Sequence, residues 1–176
     1  MLYVVRHGES ALNVLNLMCG ITDAEITEKG IGQARETGEK LSKIKFDKVF
    51  ASPLKRARIT AETIVSENEF PVDIQIEPAI IERNFGSREQ QPIGELNYYK
   101  LTHDAKAEGM ETMDEVKARL YPFLDKITKE YSGKNVLIVS HNALIRMLRL
   151  YFGEGKDLDD YMPLGIGNAQ ILKYEI

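Results

Sequence analysis

Two histidines each follow a short run of apolar, largely β-branched residues. His7 comes after Leu2–Val5 and one arginine, and His141 comes after Asn135–Val139 and one serine. Such runs are typical of strands that are buried on both faces in a parallel sheet. Because ligands bind beyond the carboxyl ends of parallel strands, we predict that both histidines lie at the functional edge of one sheet.

Arginines accompany these histidines. Arg6 precedes His7, and Arg56 follows a third apolar run, Lys48–Ala51. A guanidinium binds phosphate oxygens through charge-assisted hydrogen bonds worth ~1.5–3 kcal/mol each. A neutral imidazole can attack phosphorus, and fixed cations stabilise the charge that spreads over the equatorial oxygens. With one carboxylic acid to protonate the leaving oxygen and then activate water, these residue types indicate phosphoryl transfer.

Other reactive residues lack the spacing that alternative chemistries need. A cysteine-based phosphatase requires an arginine six positions after its cysteine, but Cys19 is followed there by Glu25. The glycine that precedes Lys156 does not complete a P-loop, and the pair of glycines that begins at Gly165 does not complete a dinucleotide-binding fingerprint. His and Cys are not paired at zinc-binding spacing, and the acidic run Asp157–Asp160 is typical of a solvated loop. We therefore predict no metal and no cofactor.

Alternating strands and helices would position these residues. Strands are predicted at 2–5, 48–51, 72–76, 135–139 and 169–174. One helix is predicted to follow Thr27, its N-cap. A second is predicted to start with Ser52 as N-cap and Pro53 in the first helical position. Two more are predicted over 112–130, with a kink at Pro122, and after His141. This alternation predicts an α/β fold, with a mainly parallel sheet and helices on both of its faces.

The segment 86–109 has the least periodic sequence in the chain. We predict a loop or lid there, with one short helix near 95–101. Its cations are scattered among acidic residues, so we expect a site that water can reach. His103, the remaining histidine, lies in this segment and is expected to be structural or exposed rather than catalytic.

Length and composition fit an ordinary globular protein. The chain has 176 residues, a formal net charge of −4 and one cysteine, which suits a single domain over residues 1–176. The negative charge argues against a broad nucleic-acid-binding surface. The first apolar run is too short for a signal peptide, and no run is long enough to span a bilayer. We expect a soluble, cytoplasmic protein whose partner is a small phosphorylated substrate, with neither nucleic acid nor membrane.

Five ordered motifs resemble those of the histidine phosphatase superfamily, the phosphoglycerate-mutase-like proteins. They are Arg6-His7-Gly8-Glu9-Ser10 with Asn13, Ile26–Gly30, Ser52–Ala57 with Thr60–Glu62, Ile81–Gly86, and Val139–Asn142 with Ile145-Arg146. The family patterns are R-H-G-[ET]-x-x-x-N, L-[TS]-x-x-G, S-x-L-x-R-A-x-x-T-A, L-x-E-x-x-[FY]-G and V-[ST]-H-x-x-x-[IL]-R. The resemblance covers residues 2 to about 172.

The resemblance implies a role for each candidate site residue. His7 would be the phosphorylated nucleophile and Glu82 the proton donor. The phosphate pocket would be completed by Arg6, Arg56 and His141, with Asn13 and Asn142 as further phosphate contacts. The resemblance also implies a three-layer α/β fold without a metal, in which helices flank a mixed but mostly parallel central sheet.

Two departures from the family pattern concern the substrate. Cys19 stands where many members have a Thr or Gln that contributes a pocket hydrogen bond. The short segment after Glu82 also lacks the paired arginines with which the mutases bind a substrate carboxylate. We therefore expect a metal-independent phosphatase that hydrolyses a small phosphomonoester through a phosphohistidine. The alternatives are mutase-type phosphoryl transfer and a non-catalytic phospholigand-binding protein. The substrate stays open, as does the choice between monomer and homodimer.

Overall fold

One five-stranded sheet forms the centre of the protein, for which a computed structural model describes residues 1–95 and 105–176. The strands are β1 (Leu2–Arg6), β2 (Lys48–Ala51), β3 (Ile74–Ile76), β4 (Val136–Ser140) and β5 (Ile171–Tyr174). Their order across the sheet is β3-β2-β4-β1-β5. His103 and most of the helix predicted near 95–101 lie outside the described residues.

The register of the sheet aligns the ends of three strands. β1 pairs with β4 in parallel, with Arg6 opposite Ser140. β2 also pairs with β4 in parallel, with Ala51 opposite Val139. The residues that follow β1, β2 and β4 therefore meet at one edge of the sheet. Only β5 runs antiparallel, against β1, so the sheet is mixed but mostly parallel, as predicted.

Helices cover both faces of this sheet. They are α1 (Ala11–Val14), α2 (Glu28–Leu41), α3 (Lys55–Ser66), α4 (Met113–Glu130) and α5 (Asn142–Tyr151). Side chains alternate along β1, so Leu2 and Val4 pack with the apolar faces of α4 and α5. Tyr3 and Val5 point the other way and pack with residues of α2 and α3. These two cores give the three-layer architecture that the sequence predicts.

Helix starts and ends follow the local sequence in most places. The hydroxyl of Thr27 accepts a hydrogen bond from Gly30 N at 3.0 Å, which confirms Thr27 as the N-cap of α2. Thr112 and Glu115 form a reciprocal capping box at the start of α4. That helix continues through Pro122, and the kink expected there stays a prediction. Short 3-10 turns occupy Gly86–Arg88, Ile93–Glu95 and Ala105–Glu108.

Several predicted boundaries are wrong. β4 and β5 begin at Val136 and Ile171 rather than at residues 135 and 169. α3 begins at Lys55 with Leu54 as its N-cap, rather than at Pro53 with Ser52 as its cap. Asp23 lies far away in sequence but accepts a hydrogen bond from Lys55 N at 2.7 Å. This bond caps a helix that starts two residues later than predicted. β3 begins at Ile74 rather than at residue 72, because only Ile74–Ile76 pair with β2.

None of the described helices has a stretch that is both long and apolar enough to cross a membrane.

Candidate active site

The two histidines that end β1 and β4 lie side by side. Their ring centroids are 5.1 Å apart and the ring planes are tilted by 54°. His7 is 3% exposed and His141 is fully buried. The parallel register brings the rings together, as the sequence predicts, because each follows its strand by a single peptide.

A backbone hydrogen bond fixes the tautomer of His7. Its Nδ1 lies 2.7 Å from the carbonyl oxygen of Gly8. A carbonyl can only accept, so Nδ1 carries the proton and Nε2 keeps its lone pair. Gly8 is itself held by the hydroxyl of Thr60, which accepts from Gly8 N at 3.0 Å. A Cβ on Gly8 would lie 2.3 Å from the carbonyl oxygen of Gly30, so only glycine fits at this position.

Arg56 lies against Nε2 of His7, the ring nitrogen that carries no proton. Its Nε donates to His7 Nε2 at 3.3 Å, and its side chain is fully buried. The rest of the guanidinium is held by two carbonyl oxygens of one turn. Nη1 donates to Thr22 O at 2.8 Å, and Nη2 donates to Gly20 O at 2.7 Å. The guanidinium plane is therefore fixed before any ligand arrives.

Burial and nearby cations keep both histidines neutral. Burial lowers the pKa of His7 well below its usual value, and Arg56 and Arg6 lower it further. Burial also lowers the pKa of His141, with Arg56, His7 and Arg6 adding to the effect. At neutral pH the His7 imidazole therefore has an unprotonated nitrogen available for attack.

His141 and Arg6 each keep one buried nitrogen that has no partner in the described part of the chain. Nε2 of His141 contacts the hydroxyl of Ser52 at 2.6 Å, while its Nδ1 has no hydrogen-bond partner among the described residues. Nη1 of Arg6 donates to Ile166 O at 2.6 Å, whereas Arg6 Nε lacks a partner in the same ranges. Burial lowers the pKa of Arg6 to about 10, although Glu82 opposes this shift. Arg6 Nε–H can therefore still bind an anion, as can His141 Nδ1 in the tautomer in which Nδ1 carries the proton and Nε2 accepts from Ser52.

Glu82 lies in the wall of the same cavity as His7 and Arg6. Its side chain is buried and accepts two backbone hydrogen bonds. Oε1 accepts from Arg83 N at 2.9 Å, and Oε2 accepts from Ala143 N at 3.2 Å. Ala143 is in the first turn of α5, the helix that begins directly after His141. The carboxyl group of Glu82 is therefore tied to the strand end that carries the second histidine.

Asn13 and Asn142 also line the cavity. The side-chain oxygen of Asn13 accepts from Ser10 N at 3.1 Å, and that of Asn142 accepts from Ile166 N at 3.0 Å. A backbone N–H can only donate, which settles the orientation of both amides. The oxygens are engaged, so the NH₂ groups are what these residues can offer to a phosphate.

The structure adds site residues that have no role assigned from sequence. Asn168 donates to the carbonyl oxygen of His7 at 3.0 Å and to Asn13 Oδ1 at 3.2 Å. Arg83, Arg146 and Tyr161 line the cavity. Two of these residues could have been found from sequence, because Arg146 belongs to a recognised motif and Arg83 directly follows the candidate acid. Asn168 and Tyr161 carry no local signal, because long-range folding alone brings them here.

The outer wall of the cavity is largely apolar. It is formed by Leu17, Met18, Phe85, Ile93 and Met162. Cys19 also lines the cavity, and burial raises the pKa of its thiol. In the described ranges, no three His, Cys, Asp or Glu side chains are grouped closely enough to hold a metal ion. Metal independence stays a prediction.

Comparison with known proteins identifies the family. A sequence model described as the histidine phosphatase superfamily (branch 1) matches residues 2–176. The chain is 38% identical to the uncharacterized phosphatase PhoE of Bacillus subtilis, covering 82% of this chain and 73% of that protein. It is 32% identical to a 2,3-bisphosphoglycerate-dependent phosphoglycerate mutase of Cytophaga hutchinsonii, covering 85% and 76%.

A solved structure agrees with these sequence matches. A variant of phosphoserine phosphatase from Entamoeba histolytica, in complex with phosphoserine, superposes with a TM-score of 0.82 at 29% identity. The match covers 97% of this chain and 87% of that one. The family model, which matches residues 2–176, includes the strand ends where the two histidines meet. With the ordered motifs and the paired histidines, these matches show that the chain belongs to the histidine phosphatase superfamily.

Proposed function

We propose that the protein is a phosphatase that hydrolyses a small phosphomonoester through a phosphohistidine at His7, without a metal ion. The observation that carries this proposal is the state of the His7 ring. Its Nδ1–H is bonded to Gly8, so the Nε2 lone pair faces Arg56 at 3.3 Å. A neutral, oriented imidazole among fixed cations suits nucleophilic attack on phosphorus.

The first step transfers the phosphoryl group to the protein. Phosphate oxygens bind the guanidinium groups of Arg6 and Arg56, His141, and the amide NH₂ groups of Asn13 and Asn142. Nε2 of His7 attacks phosphorus as the bond to the ester oxygen breaks. Glu82, in its acid form, gives its proton to that oxygen, so the alcohol leaves uncharged.

The second step regenerates the nucleophile. The Glu82 carboxylate takes a proton from a water molecule, whose oxygen attacks phosphorus while the bond to His7 Nε2 breaks. Inorganic phosphate leaves, and His7 returns to its neutral form with Nδ1 still bonded to Gly8. The balance of the two steps is one ester and one water converted to one alcohol and one phosphate.

The experiment that tests this proposal is a rapidly quenched reaction. Phosphorylated metabolites are first screened for release of free phosphate, and the best substrate is then used for trapping. We expect an acid-labile, base-stable phosphate on the peptide that carries His7. A label on Ser10 instead, or binding of phosphate without any label or turnover, would reject the mechanism. Activity should also persist after exhaustive chelation.

Mutase-type phosphoryl transfer is the second candidate, and one observation favours it. Arg83 and Arg146 line the cavity beyond the residues assigned to phosphate, where they can approach a substrate carboxylate. The two reactions separate when the protein is incubated with 3-phosphoglycerate, with and without the 2,3-bisphosphate primer. We expect phosphate release to dominate. Primer-dependent formation of 2-phosphoglycerate with little free phosphate would favour the mutase.

A further inference from the structure

Glu89 joins two loops that border the active site, although it does not line the cavity itself. Its Oε1 accepts from Ile21 N at 2.9 Å and from Phe85 N at 3.1 Å. Its Oε2 accepts from Thr22 N at 2.8 Å and from the Thr22 hydroxyl. One carboxylate therefore satisfies donors from the turn at 20–22 and from the segment that follows Glu82.

The same turn holds Arg56 on its other side. The N–H groups of Ile21 and Thr22 point to Glu89, while the carbonyl oxygens of Gly20 and Thr22 accept from Arg56. The turn is thus placed between an anion and a cation, and its peptide dipoles are polarised by both. Movement of the carboxylate would move the carbonyl groups that fix the guanidinium.

Gly20 allows this close approach. Its φ is +49°, and a Cβ there would lie 2.2 Å from Oε1 of Glu89. The backbone must therefore be bare at this point for the carboxylate to reach the N–H groups of the turn. The observed position of the Glu89 carboxylate therefore requires glycine at position 20.

We propose that Glu89 is a positioning residue for Arg56. It fixes the turn whose carbonyl groups orient the guanidinium against His7 Nε2, and through Phe85 N it ties this turn to the segment that carries Glu82. The phosphate-binding arginine and the candidate acid are then held in one frame. This inference rests on the proposed function, because that function gives Arg56 its role in phosphate binding.

The loops remain joined by their backbones when Glu89 is replaced. Gln90 N donates to Met18 O at 2.7 Å, Met18 N donates to Gln91 O at 2.9 Å, and Ile93 N donates to Asn16 O at 3.0 Å. Glu89→Gln replaces one of the two acceptor oxygens with an NH₂ donor, so the side chain can no longer accept from both Ile21 N and Thr22 N through separate oxygens, while the surrounding loop pairing is kept. We expect the variant to fold.

A double-mutant cycle with Arg56→Met tests the inference. The affinity for inorganic phosphate is measured by calorimetry, and kcat/KM is measured with 4-nitrophenyl phosphate. We expect Glu89→Gln alone to weaken phosphate binding about tenfold and to have no further effect in the Arg56→Met background, since coupled residues are not additive. Equal losses in both backgrounds, or unchanged binding in Glu89→Gln, would overturn the inference.

A matched control separates positioning from general stability. Glu115 also accepts from a backbone N–H and a threonine hydroxyl, those of Thr112, in the capping box of α4. Glu115→Gln should lower the melting temperature without changing the affinity for phosphate.

If Glu89→Gln does not fold, Thr22→Val takes its place in the cycle. Removal of that one hydroxyl should weaken phosphate binding two- to threefold, on the order of a single lost hydrogen bond.

Failure of the inference differs from failure of the proposed function. If Arg56→Met leaves phosphate binding unchanged, the proposed function loses its phosphate pocket. If Arg56→Met weakens binding and Glu89→Gln does not, the pocket stands and only the positioning role is rejected. Binding of phosphate is used for both comparisons, because it does not depend on turnover.

Discussion

The two halves of the active site are held by different interactions. The strand-end half contains His7 and His141, and the loop half contains Glu82. His7 and His141 directly follow β1 and β4, whose pairing is fixed residue by residue up to Arg6 and Ser140. Glu82 lies in an irregular segment that has no strand partner in the described structure. Its position depends on side chains that reach the backbone from elsewhere.

Arg119 is the main support of this second half. It donates to the carbonyl oxygens of Ala79 and Ile81 at 2.7 and 2.9 Å. It also forms a bidentate ion pair with Glu111, at 2.6 and 3.0 Å. Glu111 in turn accepts from Asn84 N at 3.2 Å. The candidate nucleophile, His7, is therefore positioned by the sheet and the candidate acid by a small polar network, so the two can be disturbed separately.

The largest expected effect is at the strand ends. His7→Ala removes the nucleophile, and we expect kcat/KM for phosphomonoesters to fall about a thousandfold or more. Phosphate release is measured alongside circular dichroism, which should show a folded protein. Full activity in this variant would mean that the strand-end half does not carry the reaction.

The next effect isolates the loop half. In Glu82→Gln we expect hydrolysis of alkyl phosphates to slow about a hundredfold, because their leaving oxygen needs a proton. The nitrophenyl ester has a stable leaving group and should slow only a few-fold. The two substrates are compared under identical conditions. Equal slowing of both would assign Glu82 to binding or structure rather than to proton transfer.

Arg119→Met should weaken the loop half without touching the nucleophile. We expect about a tenfold loss on alkyl phosphates and less on the nitrophenyl ester, because a misplaced acid costs only part of its contribution. Arg149→Met is the matched control, since Arg149 also pairs with a glutamate, Glu154, and with a backbone carbonyl. If Arg149→Met also slows alkyl phosphates more than the nitrophenyl ester, and by the same ratio, then any broken ion pair has this effect.

The last effect concerns the pH dependence of stability rather than a rate, and it returns to the strand ends. Because the folded state depresses the pKa of His7 and His141, the unfolded chain binds more protons below its own histidine pKa of about 6.5. The free energy of unfolding should therefore fall as pH drops from 7 towards 5, by up to about 1.4 kcal/mol per pH unit for each histidine.

Denaturant unfolding at several pH values measures this dependence. His141→Gln removes one titrating group and should give a shallower fall between pH 7 and pH 5. A slope identical to that of the parent protein would show that His141 does not contribute to the pH dependence.

Much of the strand-end half can be predicted from sequence. A buried strand has a continuous apolar run, and the polar residues that follow it must lie at the sheet edge, so His7 and His141 are found from local patterns. The sequence of β5, the antiparallel partner of β1, has no local pattern that indicates the direction of the strand. Its orientation depends on pairing between Leu2 and Tyr174, which are far apart in the chain.

The loop half is harder to predict, because its contacts join distant residues of ordinary type. Asp23 caps α3 and moves its start from Pro53 to Lys55. Arg119 supports the candidate acid from a helix whose sequence reads as simply amphipathic. The motif around Glu82 locates the acid, but nothing local indicates that Glu89 and Arg119 hold its surroundings.

The unpartnered nitrogens of Arg6 and His141 have a consequence for ligand discovery. Within the described residues, buried donors and neighbouring guanidinium groups make this pocket a locally costly part of the fold. A bound anion would accept from Arg6 Nε–H and offset the repulsion between the guanidinium groups. Ligand binding should therefore raise the melting temperature by mass action. Thermal melting in the presence of candidate phosphoesters would then rank them by affinity, including those that the protein turns over too slowly to detect.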